Sequence, residues 1–441
     1  MNLLLKWLKP SIGMKRWVAL GITGIALLII GLIYPITYNR IGNTSFLPNN
    51  LFIILLGIIV LTYSIKQSIS FLQKNDLPVD PLRFKDRKNP DRKLLDKGPK
   101  MVILGGGTGL SVLLRGVKNY TSNITAIVTV ADDGGGSGIL REDLGMLPPG
   151  DIRNCILALA DTEPIMEQLL QYRFEEGSLK GQCFGNLLIA AMSGISGNFE
   201  EAIQKINDVL AVTGKVLPVT LEDVTLYAKL KNGKVIKGES KIPLKVRELG
   251  SEIDKVFIKP QDVKPVIDAM IAIEEADVII LGPGSLYTSV LPNLLVQDIA
   301  RAIRASKGTK IYVTNVMTQP GETDDYGVWQ HIQAILKHIG SGFVDYVLVN
   351  NEEIPEDVLD KYELDGATPV IISSEDRKLL LENEIKIIEA PLVDIKKAYI
   401  RHDANKLCQI ITRIALEEKL VQDKNKILET CQLKDKYLGL F

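Results

Sequence analysis

From residue 100 onward, the chain alternates short apolar runs with longer amphipathic segments. The apolar runs are nearly continuous in Val, Ile and Leu, which is typical of strands covered on both faces of a parallel sheet. They are Met101–Leu104, Ile124–Val130, Val278–Leu281, Ile311–Thr314 and Tyr346–Val349. Helical segments between them are expected at Leu110–Val117, Ile152–Ala160, Leu187–Met192 and Leu294–Ile303. The pattern predicts an α/β fold with a doubly wound, mostly parallel, Rossmann-like sheet.

One segment alternates polar and apolar residues instead. Thr225–Leu230 and Lys234–Gly238 flank Asn232-Gly233, and Asn-Gly is a strong short-range signal for a tight hairpin turn. We therefore expect a small antiparallel hairpin insertion, to which Lys255–Ile258 adds a further strand.

The N-terminal residues contain two apolar runs. Trp17 to Tyr38 holds no charged residue, and a helix of this length crosses a bilayer at 1.5 Å per residue. Leu51 to Ile65 is shorter than the ~20 residues of a full span, but flanking residues extend it, with Lys66 reaching the lipid interface. A cleaved signal peptide is the alternative, although the first run is too long for its apolar core. The pattern predicts a two-helix transmembrane hairpin over residues 1–75.

Charge gives this hairpin an orientation. Four basic residues precede the first run, only Arg40 lies between the runs, and a basic segment from Arg83 to Lys93 follows the second. Because cytoplasmic flanks are rich in Lys and Arg, we expect a membrane protein whose main domain is cytoplasmic. The same basic segment suits contact with anionic membrane lipids. The chain after residue 75 carries 45 basic and 53 acidic residues, which argues against nucleic acid as a partner.

The remaining sequence divides by composition. Residues 76–99 are polar and contain four prolines, which indicates a linker. Residues 100–416 are long enough for a well-buried domain, and residues 417–441 are expected to form a C-terminal tail. The chain has four cysteines, with no C-x-x-C pair, and three histidines. A disulfide framework and a Cys/His metal site are therefore not expected.

Polar, glycine-rich loops follow the predicted strands, and the carboxyl ends of parallel strands meet at one edge of a sheet, where ligands bind. Any one such loop is more often an ordinary turn, but five of them converge here. Their candidate binding residues are Gly105, Gly106, Gly107, Thr108 and Gly109 after the first strand, Asp132 and Asp133 after the second, Gly284, Ser285 and Tyr287 after the third, and Asn315 after the fourth.

The glycine loop after the first strand leads into a helix that begins near Thr108. Glycines let backbone N–H groups and a helix N-terminus approach a phosphate without interference from Cβ atoms. The loop lacks the Lys-Ser/Thr pair of a P-loop, and Leu110 stands where the third glycine of G-x-G-x-x-G would be. The loop therefore favours phosphate binding, although it matches no specific phosphate-binding motif.

Three charged residues near these loops have two interpretations each. Asp132 and Asp133 either bind a ribose hydroxyl, as a Rossmann carboxylate does, or hold Mg²⁺ through their oxygens. Arg153 follows Asp151, the expected helix N-cap. Its guanidinium either pairs with an acid or forks onto a phosphate.

Several ordered blocks resemble the gluconeogenesis factors of the YvcK group, which form a larger family with the 2-phospho-lactate transferases, CofD. The blocks are Gly105–Leu110, Ile127–Asp133, Pro149–Asn154, Gly185-Asn186-Leu187, Gly282–Ser289 and Asn315–Thr323. The resemblance covers roughly residues 100–416. It implies a cytosolic Rossmann-like protein that binds UDP-sugars such as UDP-N-acetylglucosamine and links carbon metabolism to cell-wall synthesis and cell shape.

The resemblance also implies binding residues, among them Asn186 and, near the C-terminus, Tyr362 and Arg401. An aromatic face stacks on a base and an Arg forks onto phosphate, so both residue types suit a nucleotide-sugar. This chain departs from the group at Gly136, where Ser is common, and at Gln182-Cys183, where His-Ser is frequent.

Three function classes remain open. The first is a nucleotide-sugar-binding regulator that acts through unidentified protein partners, because no nucleophile–histidine pair is evident. The second is a phosphotransferase of the 2-phospho-lactate transferase type, in which Asp132, Asp133 and Arg153 would supply positioning and charge. The third, a nicotinamide-dependent oxidoreductase, fits poorly with the interrupted glycine motif. The sequence leaves homo-oligomer formation open.

Overall fold

The computed structural model describes residues 20–21, 23–30, 53–64, 66, 95–161, 164–396 and 399–422. Contacts divide the chain into residues 1–87 and residues 88–441, and each unit is described by itself. In the first unit, the described residues are helical. A Cβ on Gly24 would lie 3.2 Å from the carbonyl oxygen of Gly57, so the two helical segments are in backbone contact.

The predicted transmembrane hairpin, and the membrane location that depends on it, are wrong. Among the residues that the structure describes, no helix is long and apolar enough to cross a bilayer. A helix needs about 20 apolar residues to cross a hydrocarbon core of about 30 Å. The basic segment from Arg83 to Lys93, expected to contact lipid, lies outside the described residues.

Seven parallel strands form the central sheet of the second unit. They are β1 (Met101–Gly105), β2 (Ile124–Val128), β3 (Lys215–Pro218), β7 (Val278–Leu281), β8 (Thr309–Val313), β9 (Tyr346–Asn350) and β10 (Lys386–Ala390). Their order is β10-β9-β8-β7-β1-β2-β3. Met101 on β1 is in register with Ile124 on one side and Val278 on the other. The mostly parallel, Rossmann-like sheet is confirmed, and its five central strands are the five predicted from apolar runs.

Helices connect these strands. In chain order they are α1 (Gly107–Val117), α2 (Gly135–Leu144), α3 (Gly150–Leu159), α4 (Pro164–Gln171), α5 (Phe184–Ser196), α6 (Phe199–Val209), α7 (Ile242–Leu249), α8 (Ile267–Glu274), α9 (Leu291–Leu294), α10 (Gln297–Ala305), α11 (Val328–Ile339), α12 (Glu356–Asp365), α13 (Ser374–Glu382) and α14 (Ala404–Gln422). Helix α1 packs against α3 and α14, and α8 packs against α10. The helix expected over Leu294–Ile303 is divided between α9 and α10.

Two small antiparallel sheets complete the second unit. The predicted hairpin is present as β4 (Thr225–Leu230) and β5 (Val235–Lys237), and β6 (Ile253–Lys259) pairs with the other side of β4. We call the whole segment from β4 to β6, residues 225–259, the insertion. A second hairpin, β11 (Val393–Lys396) with β12 (Tyr399–His402), was not predicted.

The domain limits expected from composition compare with the structure as follows. Residues 76–94 of the expected linker lie outside the described residues. Leu95 already belongs to the second unit, where its carbonyl accepts the N–H of Ser122 at 3.1 Å. At the other end, α14 runs through Gln422, so the expected boundary after Leu416 lies inside a helix.

Candidate functional site

The candidate site is a cavity at the point where the order of the strands reverses. From β1, the chain adds β2 and β3 on one side and later returns to add β7 on the other. The loops after β1 and β7 line a cavity of about 590 Å³, within the range of ligand sites. Ten predicted site residues line it: Gly106, Gly107, Thr108, Gly109, Asp132, Gly284, Ser285, Asn315, Tyr362 and Arg401. The loops after β1, β2, β7 and β8 therefore converge at the switch point as expected, whereas Asn350, Asn351 and Glu352 after β9 are not among the lining residues.

The glycine loop brings the N-terminus of α1 to this cavity. Gly106 is the N-cap residue, Gly107 has a left-handed φ of +66°, and the first turn of α1 has no acidic side chain. A Cβ on Gly109 would lie 2.7 Å from the carbonyl oxygen of Pro283, so the loops after β1 and β7 approach as closely as glycine allows. Free N–H groups at a helix N-terminus suit an anion.

Gly105, predicted with this loop, has a structural position instead. It is the last residue of β1 and is buried. Its carbonyl accepts hydrogen bonds from the Asn293 side chain and from the N–H of Thr129, both at 3.1 Å. Gly105 is therefore part of the buried sheet and does not line the cavity.

Four carboxyl side chains line the cavity: Asp132, Asp151, Glu239 and Glu322. Asp132 accepts the N–H of Gly134 at 2.8 Å, and Asp151 accepts the N–H of Gly107. Burial raises the pKa of Asp132. Burial, together with the charge of Asp132, raises the pKa of Asp151 to about 6. One wall of the cavity is therefore acidic and poorly hydrated.

The two glutamates differ in their hydrogen bonding. Glu322 accepts the Thr288 hydroxyl at 3.0 Å and backbone N–H groups of Tyr287 and Thr288, and burial nevertheless raises its pKa to about 7. For Glu239, burial and the nearby charges of Asp132 and Asp151 raise the pKa well above its usual range. Its Oε2 atom is buried and has no hydrogen-bond partner among the described residues.

The cavity is also lined by Tyr362 from α12 and by residues of β12. The N–H of Ile400 donates to the Tyr362 hydroxyl at 2.8 Å, which fixes the ring against β12. Arg401 is exposed, and no described residue hydrogen-bonds or ion-pairs with its guanidinium. His402 donates from Nε2 to the Thr314 carbonyl at 2.9 Å, and burial lowers its pKa. Arg401 is therefore the cation that this wall offers to a ligand.

Asp133 and Tyr287 are not among the lining residues. Asp133 accepts the N–H of Ser240 at 2.9 Å, which joins the loop after β2 to the insertion. Tyr287 is buried, and its hydroxyl shares a 2.8 Å hydrogen bond with the Tyr326 hydroxyl. The side chains of both residues therefore bind other parts of the protein and do not line the cavity.

Arg153 and Asn186 also lie outside the cavity lining, where they contact each other. The guanidinium of Arg153 donates to Asn186 Oδ1 at 2.9 Å and to Asn154 Oδ1 at 2.8 Å. The hydrogen-bond partners of Arg153 in the structure are amides and not an acid, and its role in binding phosphate stays a prediction. Asn186 is buried.

The geometry gives the predicted Mg²⁺ role limited support. Asp132 lines the cavity, whereas the adjacent Asp133 binds the insertion. Over the described ranges, no three His, Cys, Asp or Glu side chains are grouped so that they could hold a metal ion. Magnesium at Asp132 and Asp133 stays a prediction.

Sequence reasoning missed three of the four carboxyl groups in the cavity. Asp151 was expected as an N-cap, but the N-cap of α3 is Pro149, and Asp151 instead accepts the N–H of Gly107. Glu322 stood in a block that resembled the family, without a role of its own. Glu239 follows a hairpin in a charged segment, which looks like solvent-exposed sequence.

A parallel sheet with a glycine loop and a polar cavity at its switch point defines a Rossmann-like α/β protein. The family described as "2-phospho-L-lactate transferase CofD" matches residues 101–393. The chain belongs to this family.

Named relatives place the chain in the YvcK-type branch, as the resemblance implied. The "Gluconeogenesis factor" of Bacillus subtilis is 47% identical over 320 residues, covering 72% of this chain and 99% of the relative. A "Putative gluconeogenesis factor" of Clostridium acetobutylicum is 51% identical over 428 residues, covering 96% of this chain and 94% of the relative. A solved crystal structure from Bacillus halodurans, 48% identical, superposes with a TM-score of 0.68 and covers 70% of this chain and 98% of that chain.

Proposed function

We propose that this protein binds a UDP-sugar, such as UDP-N-acetylglucosamine, in the switch-point cavity. In this role it acts as a regulator that links carbon metabolism to cell-wall synthesis and cell shape. The observation that carries the proposal is that the N-terminus of α1, Tyr362 and Arg401 line the same cavity. Names of the relatives support a role in carbon metabolism.

Each part of the ligand has a chemical counterpart. The diphosphate is an anion, which the N–H groups of α1 that Asp151 leaves open attract. The guanidinium of Arg401, which has no partner among the described residues, attracts it as well. Uracil is a planar ring, which can stack on the aromatic face of Tyr362. The Tyr362 ring is held by its hydrogen bond to Ile400, so little freedom is lost on binding.

Regulation fits the site better than turnover. The histidine in the cavity, His402, donates from Nε2 to the Thr314 carbonyl at 2.9 Å. This hydrogen bond joins the ring to the backbone and not to a serine, threonine or cysteine side chain, so the described site shows no nucleophile–histidine pair. The bound ligand would act by changing the surface that protein partners meet.

Thermal unfolding tests the binding. A ligand that binds only the folded state raises stability by about 2.7 kcal/mol at a hundredfold excess over Kd. UDP-N-acetylglucosamine should thus raise the melting temperature of the full-length protein, and Thr108→Val and Arg401→Ala should reduce that rise. Arg413→Ala, on an exposed position of α14 outside the cavity lining, is the matched control. Equal rises in melting temperature for the unmodified protein and all three variants would show that the ligand does not bind in the cavity.

A phosphotransferase that acts on a nucleotide-activated phospho-lactate type substrate is the second candidate. The acidic wall and the family description support it, because carboxylates could hold Mg²⁺ with a bound phosphate. The full-length protein would be incubated with Mg²⁺, UDP-sugars, GTP and lactyl-type phosphodiesters, and nucleotide products followed over hours. Multiple turnover that disappears in Asp132→Asn would favour the enzyme. Binding without any change in the ligand would favour the regulator.

A further inference from the structure

Between β5 and β6, the insertion contributes three residues to the cavity lining, Glu239, Ser240 and Pro243, and Glu239 is the charged one. After β5, Gly238 adopts a left-handed φ of +96°, and a short 3₁₀ turn, Glu239–Lys241, follows. The N–H of Ser240 donates to Asp133 at 2.9 Å, and a Cβ on Gly238 would lie 2.3 Å from the Asp133 carboxylate. The insertion is therefore fitted closely against the loop after β2. This contact places Glu239 in the cavity lining.

Glu239 differs from the other three carboxyl groups of the cavity. Asp132, Asp151 and Glu322 each accept at least one backbone N–H. Oε2 of Glu239 is buried and has no hydrogen-bond partner among the described residues, although the residue as a whole is partly exposed. Buried polar atoms in folded proteins nearly always have a partner, so an exception requires an explanation, such as a water, an ion or a ligand that binds there. A ligand in the cavity is the natural source of that partner.

The charges around Glu239 indicate which part of the ligand would bind to Oε2. Glu239 is surrounded by Asp132, Asp151 and Glu322, whose charges disfavour another anion nearby. These carboxyl groups repel a diphosphate, which is attracted to Arg401 and to those N–H groups of α1 that Asp151 does not occupy. An uncharged group that donates hydrogen bonds is favoured here, and the hydroxyl and amide groups of a sugar have this property.

We propose that Glu239 is a specificity residue that binds the sugar of the nucleotide-sugar through a hydrogen bond to Oε2. The inference rests on the proposed UDP-sugar binding. It assigns the insertion a role in selecting the sugar, whereas the Rossmann-like sheet binds the nucleotide and its phosphates.

The test compares a ligand that has the sugar with one that lacks it. Dissociation constants for UDP-N-acetylglucosamine and for UDP would be measured on the full-length protein by calorimetry. Glu239→Ala should weaken UDP-N-acetylglucosamine at least tenfold and change UDP less than twofold. Glu239→Gln, which keeps an acceptor oxygen, should recover part of the lost affinity. Glu248→Ala, an exposed position on α7 of the same segment, should change neither ligand.

Each outcome has a distinct meaning. If the unmodified protein binds neither ligand, the proposed function fails, and this inference falls with it. If it binds both ligands but Glu239→Ala weakens neither, or weakens both equally, the role of Glu239 in sugar binding is overturned while nucleotide binding stands. Unliganded melting curves of the variants separate loss of binding from loss of folding, and Glu239→Gln supplies the answer if Glu239→Ala does not fold.

Discussion

Glu322 illustrates how a single side chain connects the cavity to the stability of the fold. The carboxyl is buried, and its hydrogen bonds to Thr288 and to two backbone N–H groups do not fully replace hydration. Its pKa is therefore about 7 in the folded protein, against an ordinary value of 4.5. Folded protein holds this proton more tightly than unfolded protein does.

This difference predicts a pH dependence of folding. Below pH 4.5, the Glu322 carboxyl is protonated in both the folded and the unfolded protein, and its contribution to the free energy of unfolding is complete. As the pH rises to 7, the carboxyl ionises first in the unfolded protein, so the free energy of unfolding falls by up to about 3 kcal/mol. Glu322→Gln should remove this decline. Urea unfolding of the full-length protein between pH 5 and 8 would measure it. Parallel profiles for Glu322→Gln and the unmodified protein would contradict the prediction, and exposed Glu248→Gln is the control.

Residue types alone could not decide which polar groups face the cavity. Asp132 and Asp133 are adjacent and chemically identical, yet the first lines the cavity and the second binds Ser240. For Arg153 the sequence allowed an acid or a phosphate as partner, and in the structure the amides of Asn154 and Asn186 accept its hydrogen bonds. Such choices depend on tertiary neighbours that the local sequence does not record.

At the scale of elements, the helix α1 can approach β7 only because Gly109 has no side chain. Gly109→Ala should destabilise the protein by about 1–3 kcal/mol, since the Pro283 backbone cannot move aside easily. Gly194 also lies in a helix, α5, but a Cβ there would meet nothing within 4 Å. Gly194→Ala should therefore stabilise by about 0.5–1 kcal/mol through helix propensity. Denaturant unfolding of both variants would show opposite signs; a shared sign would exclude the packing explanation.

The elements that the sequence predicted well are those whose pattern repeats without interruption. The central strands are buried runs of Val, Ile and Leu, and Asn232-Gly233 marks its hairpin clearly. Strand β3 was missed because it begins with Lys215 and ends in Pro218, which leaves only two apolar residues between them. Strand β10 was missed because, at the sheet edge, it is half-buried and carries Lys386 and Glu389. In the N-terminal segment, the described residues are helical, as the hydropathy pattern predicted, but no described helix is long and apolar enough to cross a bilayer.

At the scale of the whole second unit, α14 ties distant parts of the chain together. A Cβ on Gly116 of α1 would lie 2.6 Å from Cys408 Sγ, so the two helices are in close contact. Further along α14, Lys419 pairs with Asp277 at 2.7 Å and Glu418 accepts the Tyr346 hydroxyl at 2.5 Å. The helix thus spans from α1 to the strands β7 and β9.

Truncation should expose this dependence. A chain that ends after Asp403 loses the buried side chains of Leu407, Ile411 and Ile414. At about 2–5 kcal/mol each, the summed loss is as large as the whole stability of a typical domain, about 5–15 kcal/mol. This chain should not fold. A chain that ends after Leu416 keeps them and should lose only about 1–2 kcal/mol, relative to one that ends after Gln422. Denaturation midpoints would rank the three, and a cooperative transition in the shortest chain would refute the role of α14.

The position of β1 in the centre of the sheet has a consequence for biosynthesis. Lys100 and Asp277, 177 residues apart, join through a 2.8 Å hydrogen bond where β1 meets β7. A ribosome adds that many residues in about 10 to 35 s. During this time, β1 can already pair with β2, but its other edge has no native partner. Newly made chains therefore carry an open, apolar strand edge at the middle of the future sheet, the kind of surface that invites aggregation and chaperone binding.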